Sequence, residues 1–265
     1  MNPKSGSFNV DTRMSRHFTL IALTVPEKEI LLTIYKQIFE AHLSTFDAQC
    51  QKVGPQIVTA TATVFASLAN SPQFMPTAMK FHYQFNLRDF AKIIQNLTLA
   101  QASTYKGNAL GLVRMWAHEC HRVWQDRLLF DADREAYMNF MRQGLKEFAD
   151  HGKEETVFEQ PLIYTSFMSM AKGHEPTYAP IEDMDGLRTI LEQKMDEYNE
   201  NVSSMDLVLF NQAMEHITRI CRIIYLPGGN GLLVGVGGSG KQSLSKLASF
   251  ILEYNIFRIT VATNY

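Results

Sequence analysis

Apolar residues recur at helical spacing through most of the chain. Between positions 27 and 43 they stand at 30, 31, 34, 38 and 39, which predicts a helix because residues three and four apart share one helix face. The same spacing predicts further helices over 56–68, 86–97, 108–129, 131–148, 187–200, 207–224 and 240–254. The chain before residue 150 is therefore expected to consist mainly of helices.

Four short stretches have the composition of strands. Residues 19–25 are β-prone and stop at a proline, and a short strand is also expected near 162–167. Residues 231–236 read Gly-Leu-Leu-Val-Gly-Val, which predicts a short buried strand, and 256–262 predict another after the last helix.

A glycine-rich loop joins the strand predicted at 231–236 to the helix that follows it. It contains Gly235, Gly237, Gly238, Ser239, Gly240, Lys241, Gln242 and Ser243. Gly235, Gly240 and Lys241 have the G-x-x-x-x-G-K spacing of a phosphate-binding loop. Its glycines let successive N–H groups face one anion, the helix N-terminus adds positive potential, and Lys241 would reach the β- and γ-phosphates. The pattern predicts binding of ATP or ADP.

One residue departs from this general motif. Gln242 stands where a serine or threonine usually ligates Mg²⁺, and Ser243 follows one place later. Nucleotide binding is therefore better supported than Mg²⁺-assisted hydrolysis, although Mg²⁺ stays an open alternative. The competing interpretation is a glycine-rich turn without a ligand, which the lysine, the spacing and the flanking elements disfavour.

Composition excludes several other functions. The formal charge of −2 gives no electrostatic reason to expect nucleic-acid binding. No run of apolar residues is long enough to predict a membrane span, and the odd number of cysteines, 3, favours a reducing compartment over a disulfide framework. His118, Cys120 and His121 are close in sequence, but no second ligand pair follows at a usual zinc spacing, so no metal site is predicted.

The residues that flank the loop carry a family resemblance. The segments 205–210, 213–216 and 219–222, followed by 229–244, closely resemble the opening of the fourth AAA+ module of axonemal dynein heavy chains. The Lys-Gln-Ser ending of the loop is usual in that module, so the resemblance makes Gln242 a family trait.

The earlier part of the chain fits the same family. Residues 1–18 resemble the second half of the third module's large subdomain, and the pattern within them leans toward an outer-arm, β-type heavy chain. Residues 81–90 and 112–128 resemble two helices of that module's small helical subdomain.

The resemblance implies a fold and its division into domains. The fold class would be an α/β P-loop NTPase (AAA+) fragment, rich in helices, with short parallel-type strands at both ends. The expected domains are the end of the third large subdomain, its helical small subdomain, a linker and the start of the fourth large subdomain, over 1–26, 27–150, 151–184 and 185–265.

The resemblance also assigns catalytic roles. Asn2 would match the polar residue that orients attacking water. Arg16, with Arg13 as second candidate, would match the finger that reaches a neighbouring module's γ-phosphate, and Arg88 would match the arginine that contacts its own module's nucleotide. A guanidinium aimed at phosphate charge stabilises the transition state. Without the resemblance, Arg88 and Asp89 would be read as a capped helix start with a surface ion pair, and the other residues as solvated.

The function that the resemblance implies is part of an ATP-binding motor ring that supports microtubule-based movement of cilia and flagella. Its partners would be other AAA+ modules of the heavy chain, dynein intermediate and light chains, and microtubules, with no nucleic acid and no membrane. Its location would be the cytoplasm, the cytoskeleton and the ciliary axoneme. This chain alone is expected to bind nucleotide at most, because the rest of both modules is missing from it. The alternatives are a self-contained P-loop, kinase-like enzyme and a non-catalytic nucleotide-binding interaction module.

Overall fold

The computed structural model describes residues 11–19, 21, 26–148, 150–171 and 176–259. Within these ranges the chain is mostly helical. The helices are α1 Thr12–Ser15, α2 Lys28–Leu43, α3 Ala48–Asn70, α4 Leu87–Leu97, α5 Ala109–Val123, α6 Asp131–Leu145, α7 Glu154–Val157, α8 Phe167–Ala171, α9 Met184–Asn201, α10 Asn211–Tyr225 and α11 Lys241–Ile251. Two 3₁₀ turns, Pro72–Phe74 and Gln125–Arg127, complete the helical part.

The larger apolar core lies among α2 to α6. Trp116 on α5 is fully buried, and its indole N–H donates to Thr61 Oγ1 on α3 at 2.9 Å. Helix α6 approaches α3 at Gly144, where an added Cβ would lie 2.8 Å from Val64 Cγ2. The long apolar helices predicted before residue 150 therefore form one packed bundle.

The predicted start of α4 is confirmed in detail. Asn86 Oδ1 accepts the backbone N–H of Arg88 at 2.9 Å, and Asp89 Oδ2 accepts the backbone N–H of Asn86 at 3.2 Å. This reciprocal capping box satisfies N–H groups that have no acceptor within the helix. Phe90 on the apolar face of α4 is fully buried.

A second, smaller core lies among α9, α10 and α11. Leu187 and Leu191 of α9 pack with Met214 and Ile217 of α10 and with Leu247 of α11, and all five are fully buried. Packing between α10 and α11 fixes the helix that begins directly after the glycine-rich loop.

A two-stranded antiparallel sheet lies between the two cores in sequence. It pairs β1, Tyr164–Thr165, with β2, Ala179–Pro180, so that Tyr164 is opposite Pro180. The strand expected near 162–167 is therefore confirmed. None of the helices in the described ranges is long and apolar enough to cross a membrane.

The buried strand predicted at 231–236 is wrong. These residues join no sheet, and Leu232, Val234 and Val236 are 90%, 86% and 78% exposed. An apolar strand is buried only when neighbouring strands and helices cover it, and no strand within the described ranges pairs with this segment. Residues 256–259 are likewise exposed and outside any strand.

The sheet content of the fold therefore differs from the expectation of parallel-type strands at both ends. The sheet in the described ranges is antiparallel and lies in the middle of the chain. Parts of two predicted strands, residues 20, 22–25 and 260–262, lie outside the described residues. The helix-rich character is as expected.

Candidate phosphate-binding site

The glycine-rich loop leads directly into the N-terminus of α11. Gly238 and Gly240 have φ values of 77° and 74°, in the left-handed region that side chains other than glycine adopt only with strain. Gly240 is the N-cap of α11, and its carbonyl oxygen accepts the N–H of Leu244 at 2.9 Å. The loop therefore presents its backbone beside the unpaired N–H groups of the helix's first turn.

Lys241 is folded back over the loop. Its ammonium Nζ donates to the carbonyl oxygens of Gly235 and Val236 at 2.8 and 2.6 Å, and to Ser239 Oγ at 2.9 Å. A Cβ added at Gly235 would lie 3.0 Å from Ser239 Oγ and 3.5 Å from Lys241 Nζ. The absence of a side chain at Gly235 therefore leaves space inside the loop, and the Lys241 ammonium group lines that space.

Gln242 and Ser243 begin α11 beside this lysine. The side chain of Gln242 is exposed and that of Ser243 is half-buried. Further along the first turns, Ser245 Oγ donates to the carbonyl oxygen of Lys241 at 2.8 Å. The hydroxyl that could ligate Mg²⁺ is that of Ser243, which lies one residue further along the helix than in the general motif.

The structure brings none of the predicted catalytic arginines to the loop by a hydrogen bond within the described ranges. Arg13 and Arg16 are exposed on and just after α1, and Arg16 Nε lies 3.2 Å from His17 Nε2. Arg88 is exposed, and in the described part of the chain its guanidinium makes no hydrogen bond or ion pair. Asn2 lies outside the described residues.

Of the alternative interpretation of Arg88 and Asp89, the capped helix start is confirmed, but among the described residues the ion pair between them is not formed. Asp89 pairs with Arg127, whose Nη2 lies 2.9 Å from Asp89 Oδ1. The Arg127 guanidinium also donates to the carbonyl oxygens of Val123 and Gln84. Arg127 is therefore a structural residue, whereas Arg88 points its charge into solvent.

The imidazole rings of His118 and His121 have different hydrogen-bond partners. Nδ1 of His118 lies 2.9 Å from the carbonyl oxygen of Leu162, and Nδ1 of His121 lies 3.1 Å from Tyr137 Oη. In the described ranges, no group of at least three His, Cys, Asp or Glu side chains is arranged to hold a metal ion.

A buried ion pair that no sequence pattern predicted connects α10, in the smaller core, to α5 in the helical bundle. Glu119 of α5 is fully buried, and its carboxylate pairs with both Nε and Nη2 of Arg222 on α10. Tyr178 Oη donates to Glu119 Oε1 at 2.6 Å and Asn96 Nδ2 donates to Oε2 at 2.7 Å. Because α10 packs against α11, the helix that begins at the end of the loop, this network connects the support of the loop to the bundle.

The electrostatics of this network follow from its partners. Burial, the largest single effect, raises the pKa of Glu119, but the charge and hydrogen bonds of Arg222, together with smaller contributions from His118 and Tyr178, outweigh it and lower the pKa to about 2. The signal for Glu119 was present in the sequence, since it follows Met115 and Trp116 by four and three residues on the buried face of α5. A carboxylate at such a position needs a buried cation.

Two protein families match parts of the chain. The family described as P-loop containing dynein motor region D4 matches residues 205–265, and the AAA+ lid domain family matches residues 58–159. The first match contains the whole loop and the second contains α4, α5 and α6. These matches confirm the AAA+ P-loop fold class.

Long curated proteins match the chain from end to end. The chain is 46% identical over 268 residues to the dynein beta chain of the flagellar outer arm of Chlamydomonas reinhardtii. It is 42% identical to the ciliary dynein beta chain of Heliocidaris crassispina and to dynein axonemal heavy chain 17 of Homo sapiens. Each alignment covers 100% of this chain and 6% of the relative, so the chain spans a small part of the length of these proteins.

Proposed function

Because this chain belongs to the axonemal dynein heavy chains, we propose that its glycine-rich loop is one nucleotide site of an ATP-driven motor ring. The ring would power microtubule-based movement of cilia and flagella. Residues 1–26 and 27–150 would close the third AAA+ module, and 151–184 would link it to the fourth, which starts at 185.

The observation that carries this proposal is the position of Lys241. Its ammonium group is held inside the loop by two carbonyl oxygens and one hydroxyl, at 2.6 to 2.9 Å. A phosphate oxygen is a stronger partner for an ammonium group than a neutral carbonyl is. A phosphate that enters the loop would therefore replace the carbonyl oxygens as the hydrogen-bond partner of Nζ.

The rest of the loop suits a polyphosphate. Positive φ angles at Gly238 and Gly240 turn the backbone so that N–H groups of the loop and of α11 can face one anion. ATP, when bound, supplies the phosphoryl group whose hydrolysis would drive the motor. Ser243 is the hydroxyl of this loop that would meet Mg²⁺, whereas Gln242 offers an amide oxygen.

The predicted catalytic residues would act at nucleotides other than the one in this loop: Arg16 at that of a neighbouring module, and Arg88 at that of its own third module. Arg88 and Arg16 are exposed, so their guanidinium groups are accessible to a phosphate that another part of a ring presents. Arg13 remains the second candidate for the finger, and Asn2 remains the candidate for orienting water. In this proposal, these residues act only within an assembled ring.

The partners follow from the same assignment. Other AAA+ modules of the heavy chain would contact both ends of this chain, where Phe18, Leu232 and Phe257 are exposed apolar side chains. Dynein intermediate and light chains and microtubules would be partners of the complete motor, located in the cytoplasm and in the axonemal cytoskeleton.

Binding of a fluorescent ATP analogue to the chain tests the nucleotide site. We expect saturable binding that Lys241→Ala weakens by at least about tenfold, since the substitution removes the ammonium group that lies inside the loop. The matched control is Lys246→Ala, on the same helix, which should leave the affinity unchanged. Equal binding by the Lys241→Ala variant would refute the assignment.

ATP turnover separates this proposal from a self-contained, kinase-like enzyme. The chain is expected to bind nucleotide without sustained hydrolysis or phosphoryl transfer, because within the described residues none of the predicted catalytic arginines is hydrogen-bonded to the loop. Turnover that Lys241→Ala abolishes would favour the enzyme instead.

A further inference from the structure

The segment between α10 and the glycine-rich loop contains an asparagine followed directly by a glycine, Asn230 and Gly231. Asn230 is the only asparagine in the sequence that precedes a glycine. Glycine has no side chain to shield its main-chain nitrogen or to restrict its φ and ψ angles, so this nitrogen can approach the side-chain carbonyl carbon of the asparagine before it. The local structure decides whether this approach occurs.

A tight turn separates the pair from α10. The N–H of Gly229 donates to the carbonyl oxygen of Leu226 at 3.0 Å, and Gly228 has a φ of 65°. Pro227 and Gly228 suit the two central positions of such a turn, because proline pre-sets the first φ and glycine accepts a positive φ at the second. The chain therefore leaves α10 here, and residues 229–236 lie outside any helix or strand.

Neither reacting group is held by a tertiary contact. Asn230 and Gly231 are exposed, and the N–H of Gly231 donates to no acceptor within the described ranges. Among the described residues, Nδ2 of Asn230 donates only to the carbonyl oxygen of Gly228, at 2.9 Å, two residues earlier. Hydrogen bonds hold most main-chain N–H groups of a folded chain in place. The N–H of Gly231 is instead open to water, directly beside an asparagine side chain.

We propose that Asn230 is a site of spontaneous deamidation through a succinimide formed with Gly231. The main-chain nitrogen of Gly231 loses its proton to hydroxide and bonds to Cγ of Asn230, and Nδ2 leaves as ammonia. Water then opens the ring at either of its carbonyl carbons, which leaves aspartate or isoaspartate at position 230. One water molecule is consumed and one ammonia is released, and no atom is oxidised or reduced.

Deamidation changes the segment that leads to the phosphate loop. Both products carry a carboxylate in place of the neutral amide, five residues before Gly235. Isoaspartate also routes the main chain through Cβ, so it lengthens the chain by one carbon atom. The reaction requires only water, so it proceeds in the purified chain without an enzyme.

Another position in the chain supplies a matched comparison. Asp185 of α9 is followed by glycine and then leucine, as Asn230 is. The glycine there, Gly186, is in the first turn of α9, and its N–H donates to Asp183 Oδ1. Asp185→Asn therefore creates the same reacting pair in a helix, with the glycine N–H already bonded.

Incubation of the Asp185→Asn chain at mildly alkaline pH, followed by peptide mass spectrometry, compares the two positions. In the folded chain, the peptide with Asn230 should gain the mass difference between an amide and a carboxylic acid several-fold faster than the peptide with position 185. In urea, where both pairs are unfolded, the ratio of the two rates should fall toward unity. A ratio in the folded chain no greater than that in urea overturns the proposal, as does an Asn230 peptide that keeps its mass.

Gly231→Ala tests the route of the reaction. The added Cβ would make only ordinary contact, 3.6 Å from Ile223 Cγ2, but it hinders attack by the adjacent nitrogen. Deamidation of Asn230 should therefore slow several-fold in this variant. In the unchanged chain the products should include isoaspartate, which direct hydrolysis of the amide does not form. An undiminished rate in the Gly231→Ala variant, or aspartate as the sole product of the unchanged chain, contradicts the succinimide step.

Discussion

Glu119 and Arg222 form a buried ion pair that joins two helices across 103 residues of sequence. The carboxylate is fully buried and the guanidinium nearly so, with side-chain exposures of 0% and 7%. Tyr178 and Asn96 satisfy the remaining acceptor sites of the carboxylate. This buried charged contact, which excludes water, therefore connects the bundle to α10.

Glu119→Gln should strongly destabilise the chain. The amide keeps the shape of the side chain but leaves the charge of Arg222 buried without a counter-ion, which costs about 3–5 kcal/mol. Urea unfolding followed by circular dichroism measures the change. Glu197→Gln is the control, because Glu197 pairs with Lys194 at the surface and contributes at most about 1 kcal/mol. Equal effects of the two substitutions would contradict the buried pair.

The stability of the chain should fall on acidification from neutral pH. Burial lowers the pKa of His118 and of His121 from 6.5 to about 3. Between these values, both imidazoles are protonated in the unfolded chain but neutral in the folded chain. Stability is thus fully present above pH 6.5 and is lost toward pH 3, by about 1.4 kcal/mol per pH unit for each histidine. Glu119 acts in the same direction, between its ordinary value of 4.5 and about 2.

Urea unfolding at a series of pH values measures this slope. His121→Gln should reduce it by removing one of the two histidines, whereas His17→Gln, at an exposed position, should leave it unchanged. A stability that stays constant from neutral pH to about pH 5 would be inconsistent with neutral, buried imidazoles.

Gly240→Ala should reduce nucleotide binding. The φ of 74° at this position strains any residue with a Cβ by about 1–2 kcal/mol. This strain would be located at the junction between the loop and α11. Binding of the fluorescent ATP analogue measures the loss. Gly231→Ala is the matched control, since its Cβ would make only ordinary contact, 3.6 Å from Ile223 Cγ2. Full affinity in the Gly240→Ala variant would show that the loop geometry is not required.

Arg127→Ala and Arg88→Ala should differ in stability. Arg127 bonds Asp89 and two backbone carbonyl groups, so its loss leaves several acceptors without a donor and should cost about 1–3 kcal/mol. Arg88 is exposed, so its loss should change the free energy of unfolding by less than about 0.5 kcal/mol. Thermal unfolding of both variants measures the difference, and the opposite order would contradict the assignment of Arg127 as the partner of Asp89.

Local patterns were enough to predict most helices and the loop. The capping residues Asn86 and Asp89 act within four residues of each other, and the spacing of Gly235, Gly240 and Lys241 is a property of one short segment. Both could be found because the interacting groups are neighbours in sequence. Helix α3 runs from Ala48 to Asn70, whereas the sequence predicted a helix only over 56–68. Threonines and Pro55 lower the helix propensity of this segment, but burial in the bundle outweighs that cost.

What the sequence alone determined was therefore the helical periodicity, the capping of α4 and the glycine-rich loop that leads into α11. Tertiary structure alone decided which charges meet and which apolar segments are covered. Glu119 and Arg222 are remote in sequence, so only packing of α5 against α10 brings them together. Residues 231–236 are apolar enough for a buried strand but remain exposed, because burial depends on neighbouring elements and not on the segment's own composition.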